Sequence, residues 1–324
     1  MLPSRFSVSI VSALLILSAP ITNWAQSYPS KPIRLLVPAP PAGPTDLTAR
    51  VLAEPMAEFL QQPVIVENRA GANGILAMEA IAKAPADGYT LILTVFPILV
   101  VNPLLYSKIT YSSRDFTPIG LVLRQSTVLL THAQVPVSTL AEFISFARAK
   151  DDSVFYGTYG AGSMPHLAMG MLMKQAKLKM VHVPYSGNAT MNQALLAGQV
   201  QVLFSTPDPV VSSVKVGKLR ALATARPQRS PLLPNTPTFD EAGMPNFDVS
   251  TWTSIVGPAG MPADVVTKVN AAMNAAINNA KVRARLTGGG MELAGGTPAE
   301  FAQFLNHENE RWGQVIKDLN LKLD

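Results

Sequence analysis

The sequence contains no cysteine. That absence excludes disulfides, thiolate nucleophiles, zinc ribbons, iron–sulfur ligation and a lipid anchored through cysteine. Charge is scarce as well: Asp, Glu, Lys and Arg make up 15% of 324 residues, well below the roughly one quarter of an average soluble domain. A disordered polyelectrolyte is therefore excluded. The net charge is +5, but there is no basic run and little aromatic interleaving, so nucleic acid is not an expected partner. Four histidines, His132, His166, His182 and His307, lie far apart without metal-ligand spacing, and no metal or cofactor is expected. The phosphate-loop signature is missing. Gly160-Ala161-Gly162 opens like a dinucleotide fingerprint but lacks the third glycine. Ser163 lacks the elbow motif that exposes a nucleophile, so catalysis is not expected.

What is present is apolar: 48% of the residues are hydrophobic, and the length is about twice a 150-residue domain. Met1 to Arg5 carries one positive charge and Phe6 to Ala19 is a greasy run, the order of a secretory signal. The run is short for a membrane span, so removal near Ala25 is expected, with a retained anchor as the alternative. No later stretch reaches about 18 uninterrupted apolar residues.

From Ile33 onward, short β-branched runs alternate with helical stretches, which predicts a mostly parallel α/β arrangement. Strands are expected at Ile33 to Val37, Val64 to Val66 and Thr90 to Val95, with helices over Thr45 to Leu60 and Ile75 to Lys83. The rhythm then repeats. Strands are expected at Val154 to Gly157, Met180 to Val183, Val200 to Phe204 and Leu219 to Thr224, with helices over Met164 to Gln175 and Thr190 to Ala197. Arg226 to Pro245 holds five prolines and reads as a loop. A strand over Val249 to Val256 and helices over Pro262 to Asn279 and Thr297 to Leu319 close the chain, so two similar halves are expected.

One feature occurs once in each half. Pro40-Pro41-Ala42-Gly43-Pro44-Thr45-Asp46 follows the first strand, and Tyr159-Gly160-Ala161-Gly162-Ser163-Met164-Pro165-His166 follows the strand at Val154. Each leads into a helix. The first turn of a helix leaves N–H groups unpaired and carries about half a positive charge, so two such ends could hold a carboxylate without arginine. The alternative is that the glycines only serve tight turns and that Asp46 is an ordinary cap.

Specific motifs recur in one order: Tyr28-Pro-Ser-Lys-Pro-Ile-Arg34, Gly43-Pro-Thr-Asp46, Val66-Glu-Asn-Arg69 with Gly71 and Gly74, Asp87-Gly-Tyr-Thr90, Asn102-Pro-x-Leu-Tyr106, Val181-His-Val-Pro-Tyr185, Gly217-Lys-Leu-Arg-Ala221 and Arg229-Ser-Pro-Leu-Leu-Pro234. In these the chain resembles the Bug (TctC) family of extracytoplasmic solute receptors of tripartite tricarboxylate transporters. The resemblance implies a type II-like periplasmic binding protein fold, two α/β domains with a ligand cleft between them. The expected division is a signal peptide at 1–25, a discontinuous first domain at 28–125 and 250–324, and a second domain at 126–249. It implies a periplasmic monomer, without catalysis, that captures a small carboxylate and delivers it to membrane permease subunits. Carried over by position, it places Pro40, Ala42, Gly43, Thr45 and Asp46 at the ligand from the first loop, and Ala161, Gly162, Ser163 and His166 from the second. Asn73 and Tyr185 are expected to line the site.

The chain departs from that family in ways that bear on the ligand. Thr94-Val95-Phe96-Pro97-Ile98 replaces a small polar loop, which predicts an apolar wall at Phe96. Ser205-Thr206 stands where an aspartate is usual, and Arg124 where a small residue is usual. Without that aspartate a buried ammonium would lack a counter-charge unless Asp208, between Pro207 and Pro209, supplies it, so the expected ligand is an amine-free carboxylate, aromatic or medium-chain. Arg124 is expected to grip a second carboxylate if it faces the cleft, and otherwise to brace the hinge. A ligand-sensing partner of a signalling system, or a periplasmic hydrolase, is the alternative function.

Overall fold

The computed structural model describes residues 28–150, 152–288 and 290–323; the expected signal segment and its cleavage near Ala25 lie outside them. The first run of elements is β1 (Ile33–Val37), α1 (Pro44–Leu60), β2 (Val64–Asn68), α2 (Ile75–Ala82) and β3 (Thr90–Val95). A wide helical turn over Pro97–Val101 then leads through α3 (Asn102–Leu105) to β4 (Phe116–Gln125). The second run is β5 (Val128–His132), α4 (Leu140–Lys150), β6 (Phe155–Thr158), α5 (Met164–Ala176), β7 (Val181–Pro184), α6 (Asn188–Leu196), β8 (Val202–Ser205), α7 (Val211–Lys215) and β9 (Leu219–Thr224). After a long irregular stretch come β10 (Thr251–Pro258), α8 (Ala263–Asn278), α9 (Ala280–Thr287), β11 (Met291–Gly295) and α10 (Pro298–Asp318). Among the described residues, no helix is long and apolar enough to cross a membrane.

Two sheets result, in the orders β11-β4-β10-β3-β1-β2 and β7-β6-β8-β5-β9. Leaving out the edge strand β11, they share one plan: β2, β1, β3, β10 and β4 correspond in position to β7, β6, β8, β5 and β9. In each sheet the strand second from one edge opens the βα unit that carries a glycine-rich turn, which explains why that turn occurs twice.

The expectation of mostly parallel sheets needs correction. β1 pairs in parallel with β2 and β3, and β6 with β7 and β8, but β10 runs antiparallel to β3 and β4, and β5 antiparallel to β8 and β9. The reason is the route of the chain. β5 and β10 are the strands reached directly from the other sheet, without a helical crossover, and only a crossover would bring them in parallel. The two connections also touch: Ala225 N–H donates to Thr127 O at 2.8 Å, and Thr127 Oγ1 donates to Val249 O at 2.8 Å.

α1 shows how local sequence sets an element. Ala49, Leu52, Ala53, Met56 and Leu60 are buried at helical spacing, and each large apolar side chain so removed from water contributes roughly 2 kcal/mol. Pro44 stands at the start, where a missing N–H costs nothing, and Gln61 ends the helix in a left-handed conformation. The cap is Gly43, rather than Asp46.

Candidate functional site

The two glycine-rich turns are built alike. Ala42 and Gly162 each precede the cap of their helix and hold left-handed backbone angles, φ 65° and 74°. From each, the backbone N–H donates into the first helical turn, Ala42 N to Asp46 Oδ2 at 2.8 Å and Gly162 N to His166 Nδ1 at 3.1 Å. The side chain at the third helical position thus braces the loop from behind in both sheets. Neither Asp46 nor His166 lines the cavity that the loops enclose.

Asp46 is 1% exposed and also accepts from Arg50 Nε and Asn68 Nδ2. The Arg50 bond, with those from Asn68 and Ala42, outweighs burial and holds its carboxyl down at about 2. His166 stacks on His182 at 4.4 Å, and Tyr156 stacks against His182 at 5.2 Å. Burial, then the neighbouring His182, pulls His166 down to about 4, which keeps Nδ1 neutral and able to accept. Thr158 Oγ1 lies 2.6 Å from His182 Nε2. Burial lowers the pKa of His182 too.

This brace sets a pH dependence. Between the ordinary histidine value near 6.5 and about 4, the unfolded chain binds a proton that folded His166 does not. Stability is therefore complete above that window and falls as pH drops through it. Denaturant unfolding should show a loss of up to about 3 kcal/mol across the window, and His166→Gln should flatten the curve. Equal slopes for the two proteins would show that the histidine does not titrate as described.

A cavity of about 410 Å³ lies between the sheets. The first loop contributes Pro38, Ala39 and Pro40, and the second Tyr159, Ala161, Gly162, Ser163 and Met164. Asn73, Pro97, Ile98, Asn102 and Tyr106 close one side, with Asn73 Nδ2 donating to Tyr106 Oη at 3.0 Å and Asn102 Nδ2 to Asn73 O at 3.1 Å. Leu323, bonded through its N–H to Leu105 O, completes the wall. A second chamber of about 260 Å³ shares Pro97, Tyr159 and Met164 with the first and adds Thr127, Pro165, Asn188, Phe204, Ser205, Thr206 and Thr251. Tyr159, 39% exposed, stands between them. Among the described residues, no Asp, Glu, Lys, Arg or His lines either chamber.

Of the residues singled out from sequence, Pro40, Asn73, Ala161, Gly162 and Ser163 meet at the larger chamber, and Ser205 and Thr206 at the smaller. Ala42 and Gly43 shape the first loop without lining it, and Thr45 faces a separate hollow of about 120 Å³ beside Thr251. Tyr185 packs against the apolar cluster of the second sheet, its N–H donating to Thr158 O. Phe96 does not form a cavity wall: it is fully buried between Trp252 and Trp312, with ring centroids 5.5 and 5.1 Å away. Arg124 faces a different cavity, beside Arg226 and Glu292. Ser163 Oγ donates to Gly160 O at 2.6 Å, so its hydroxyl ties the loop together. Tyr106 and Tyr159, which sequence reasoning did not single out as lining residues, stood in motifs already noticed, the Asn102-to-Tyr106 run and the second glycine turn.

Residues 48–321 match the model of the tripartite tricarboxylate transporter family receptor, TctC. The chain is 32% identical to BugT of Bordetella pertussis over 98% of this chain and 97% of that protein. It is 35% identical to a protein from the tcbD-tcbE intergenic region of Pseudomonas sp. strain P51, over 91% and 88%. Among solved structures, MatC of Rhodopseudomonas palustris with bound malate is 34% identical, with a TM-score of 0.72 over 89% of this chain and 100% of the other. Rpa4515 of R. palustris with adipate is 31% identical, with a TM-score of 0.76 over 91% and 99%. These are similar in fold to the two mixed α/β sheets described above.

Proposed function

The chain belongs to the tripartite tricarboxylate transporter receptor family, a family of solute-binding rather than catalytic proteins, and we propose that it captures an amine-free dicarboxylate between its two sheets. The carrying observation is the inter-sheet cavity: the start of α5 and the loop that leads into α1 both line it, and among the described residues no charged side chain does. A carboxylate there is held by backbone N–H groups at the start of α5, that helix's dipole and neutral donors such as the Asn73 amide. An ammonium would be buried without a counter-charge, at a cost of several kcal/mol. Ser205 and Thr206 supply hydroxyls only. The malate and adipate of the two solved relatives are both amine-free dicarboxylates, which supports this reading.

The second chamber supports a ligand with an apolar body of medium length, because Phe204, Pro97, Pro165 and Met164 form its walls. Two domains, 28–125 with 250–324 and 126–249, close on that ligand in this proposal. The periplasm, reached after cleavage near Ala25, is the place where the receptor meets it, and membrane permease subunits take it on.

Calorimetry with matched pairs tests the ligand class. Malate and aspartate differ in a hydroxyl against an ammonium, and malate or adipate should bind about 100-fold tighter than aspartate. Tighter binding of aspartate would refute the amine-free reading, and an absence of heat with every dicarboxylate would refute the wider one.

A further inference from the structure

A cavity of about 440 Å³ lies away from the cleft, among β4, β11, the start of α10 and the stretch after β9. Two guanidinium groups face it, Arg124 at the end of β4 and Arg226 just past β9. Arg226 is only 9% exposed, and its Nη1 is buried without an aligned hydrogen-bond acceptor, although Glu292 Oε2 lies 2.7 Å away. Arg124 is partly buried with its guanidinium over the Phe304 ring at 4.4 Å, and no carboxylate among the described residues comes within ion-pair distance of it.

The acceptors nearby are few. Glu292 sits opposite Arg124 in the β4–β11 register but turns its oxygen to Arg226. Glu300, the other acidic lining residue, is held by the Thr297 N–H and hydroxyl at the cap of α10. Leu121, Leu293, Phe301 and Phe304 make much of the remaining wall apolar, and Gln228 is the neutral polar side chain there, so the cations are poorly solvated. Burial, and then the Arg226 charge, lowers the pKa of Arg124. Two guanidinium forks with one carboxylate, held by Arg226 alone, and unused donors in a part-apolar hollow are matched by an oxyanion, which accepts from both forks at once.

We propose that this cavity is a second anion-binding site, separate from the cleft, that takes a small divalent oxyanion between Arg124 and Arg226. The two arginines flank the paired connections between the sheets, where Ala225 bonds Thr127. An anion bridging them ties one connection to the other at the point about which the sheets would move.

Thermal unfolding and calorimetry with sodium phosphate and with sodium methylphosphonate, at ionic strength matched with sodium chloride, test the site and separate an inorganic from an organic source. At one hundred times its dissociation constant, the effective anion should raise the midpoint by about 5 °C. Arg124→Gln, at a partly buried position, should remove that rise, and Glu292→Gln, which frees Arg226 from its competing carboxylate, should tighten binding about fivefold. The rise should persist in Gly162→Pro, which disables the cleft. No binding by either anion would overturn the proposal. So would a rise that survives Arg124→Gln, or one that disappears in Gly162→Pro, and neither result would bear on what the cleft binds.

Discussion

Replacing Gly162 with proline should weaken dicarboxylate binding by about 100-fold or more while leaving the fold in place. Gly162 holds φ at 74°, which proline, fixed near −65°, cannot adopt. The substitution also removes the N–H that His166 Nδ1 accepts. The loop must therefore rebuild, and the cost of about 3 kcal/mol for a disallowed backbone and a lost bond falls on the wall of the cavity. The loop lies at the end of β6, outside the regular pairing of either sheet, so circular dichroism should change little. An alanine at the same place is milder in backbone but adds a Cβ 2.4 Å from the Leu105 side chain, so it should fall between wild type and proline. Lys215→Ala on α7 is the control. Lys174 on α5 is unsuitable for that purpose, since its ammonium pairs with Asp318 on α10 and links helices that belong to different sheets. Native affinity for malate in Gly162→Pro, with heats matching wild type, would show that the second helix start does not contact the ligand.

The parts of the structure legible in sequence were those fixed by neighbouring residues. β1 and β3 fall where apolar and β-branched runs stand between turn residues, and both glycine turns are visible because their backbone angles need glycine or small residues. β4 was not read as a strand, since Pro118 and Gly120 interrupt it, and its pairing with β10 and β11 is made by residues over a hundred positions away. β5 and α4 were likewise missed, and the antiparallel placement of β5 and β10 depends on the route between the sheets rather than on any local run. Phe96 shows the limit most clearly. A phenylalanine after a strand end is expected to face the ligand, yet the wide turn over Pro97–Val101 rotates its ring into the core and presents Pro97 and Ile98 to the cavity instead. The charge-free lining of the cleft was partly readable, in Ser205 and Thr206, whereas the position of Arg124 on another face depended on which side of β4 is buried beneath α10.

The core beneath that turn should be the most sensitive point for stability. Glu308 of α10 is 3% exposed, and its Oε2 accepts from Trp252 Nε1 at 2.9 Å and Trp312 Nε1 at 3.3 Å, while Oε1 pairs with Arg311 at 3.0 Å. Trp252 lies on β10 and packs against Phe96 at the end of β3, so one carboxylate fastens the last helix to the strand that returns from the second sheet. Glu308→Leu leaves two buried indole N–H groups without their acceptor and the Arg311 guanidinium without its carboxylate, holding only the Asp248 carbonyl. Removing one partner of such a network costs about 3–5 kcal/mol, which lowers the thermal midpoint by about 10 °C in a chain of this size. Glu308→Gln keeps an oxygen for the indoles and loses only the charge toward Arg311, so it should cost about 1–2 kcal/mol and retain dicarboxylate binding. The ordering of the two variants separates a hydrogen-bonding role from mere filling of space, because leucine fills the volume almost as well as glutamine. A leucine variant that melts with wild type would show that the two tryptophans are held by packing alone.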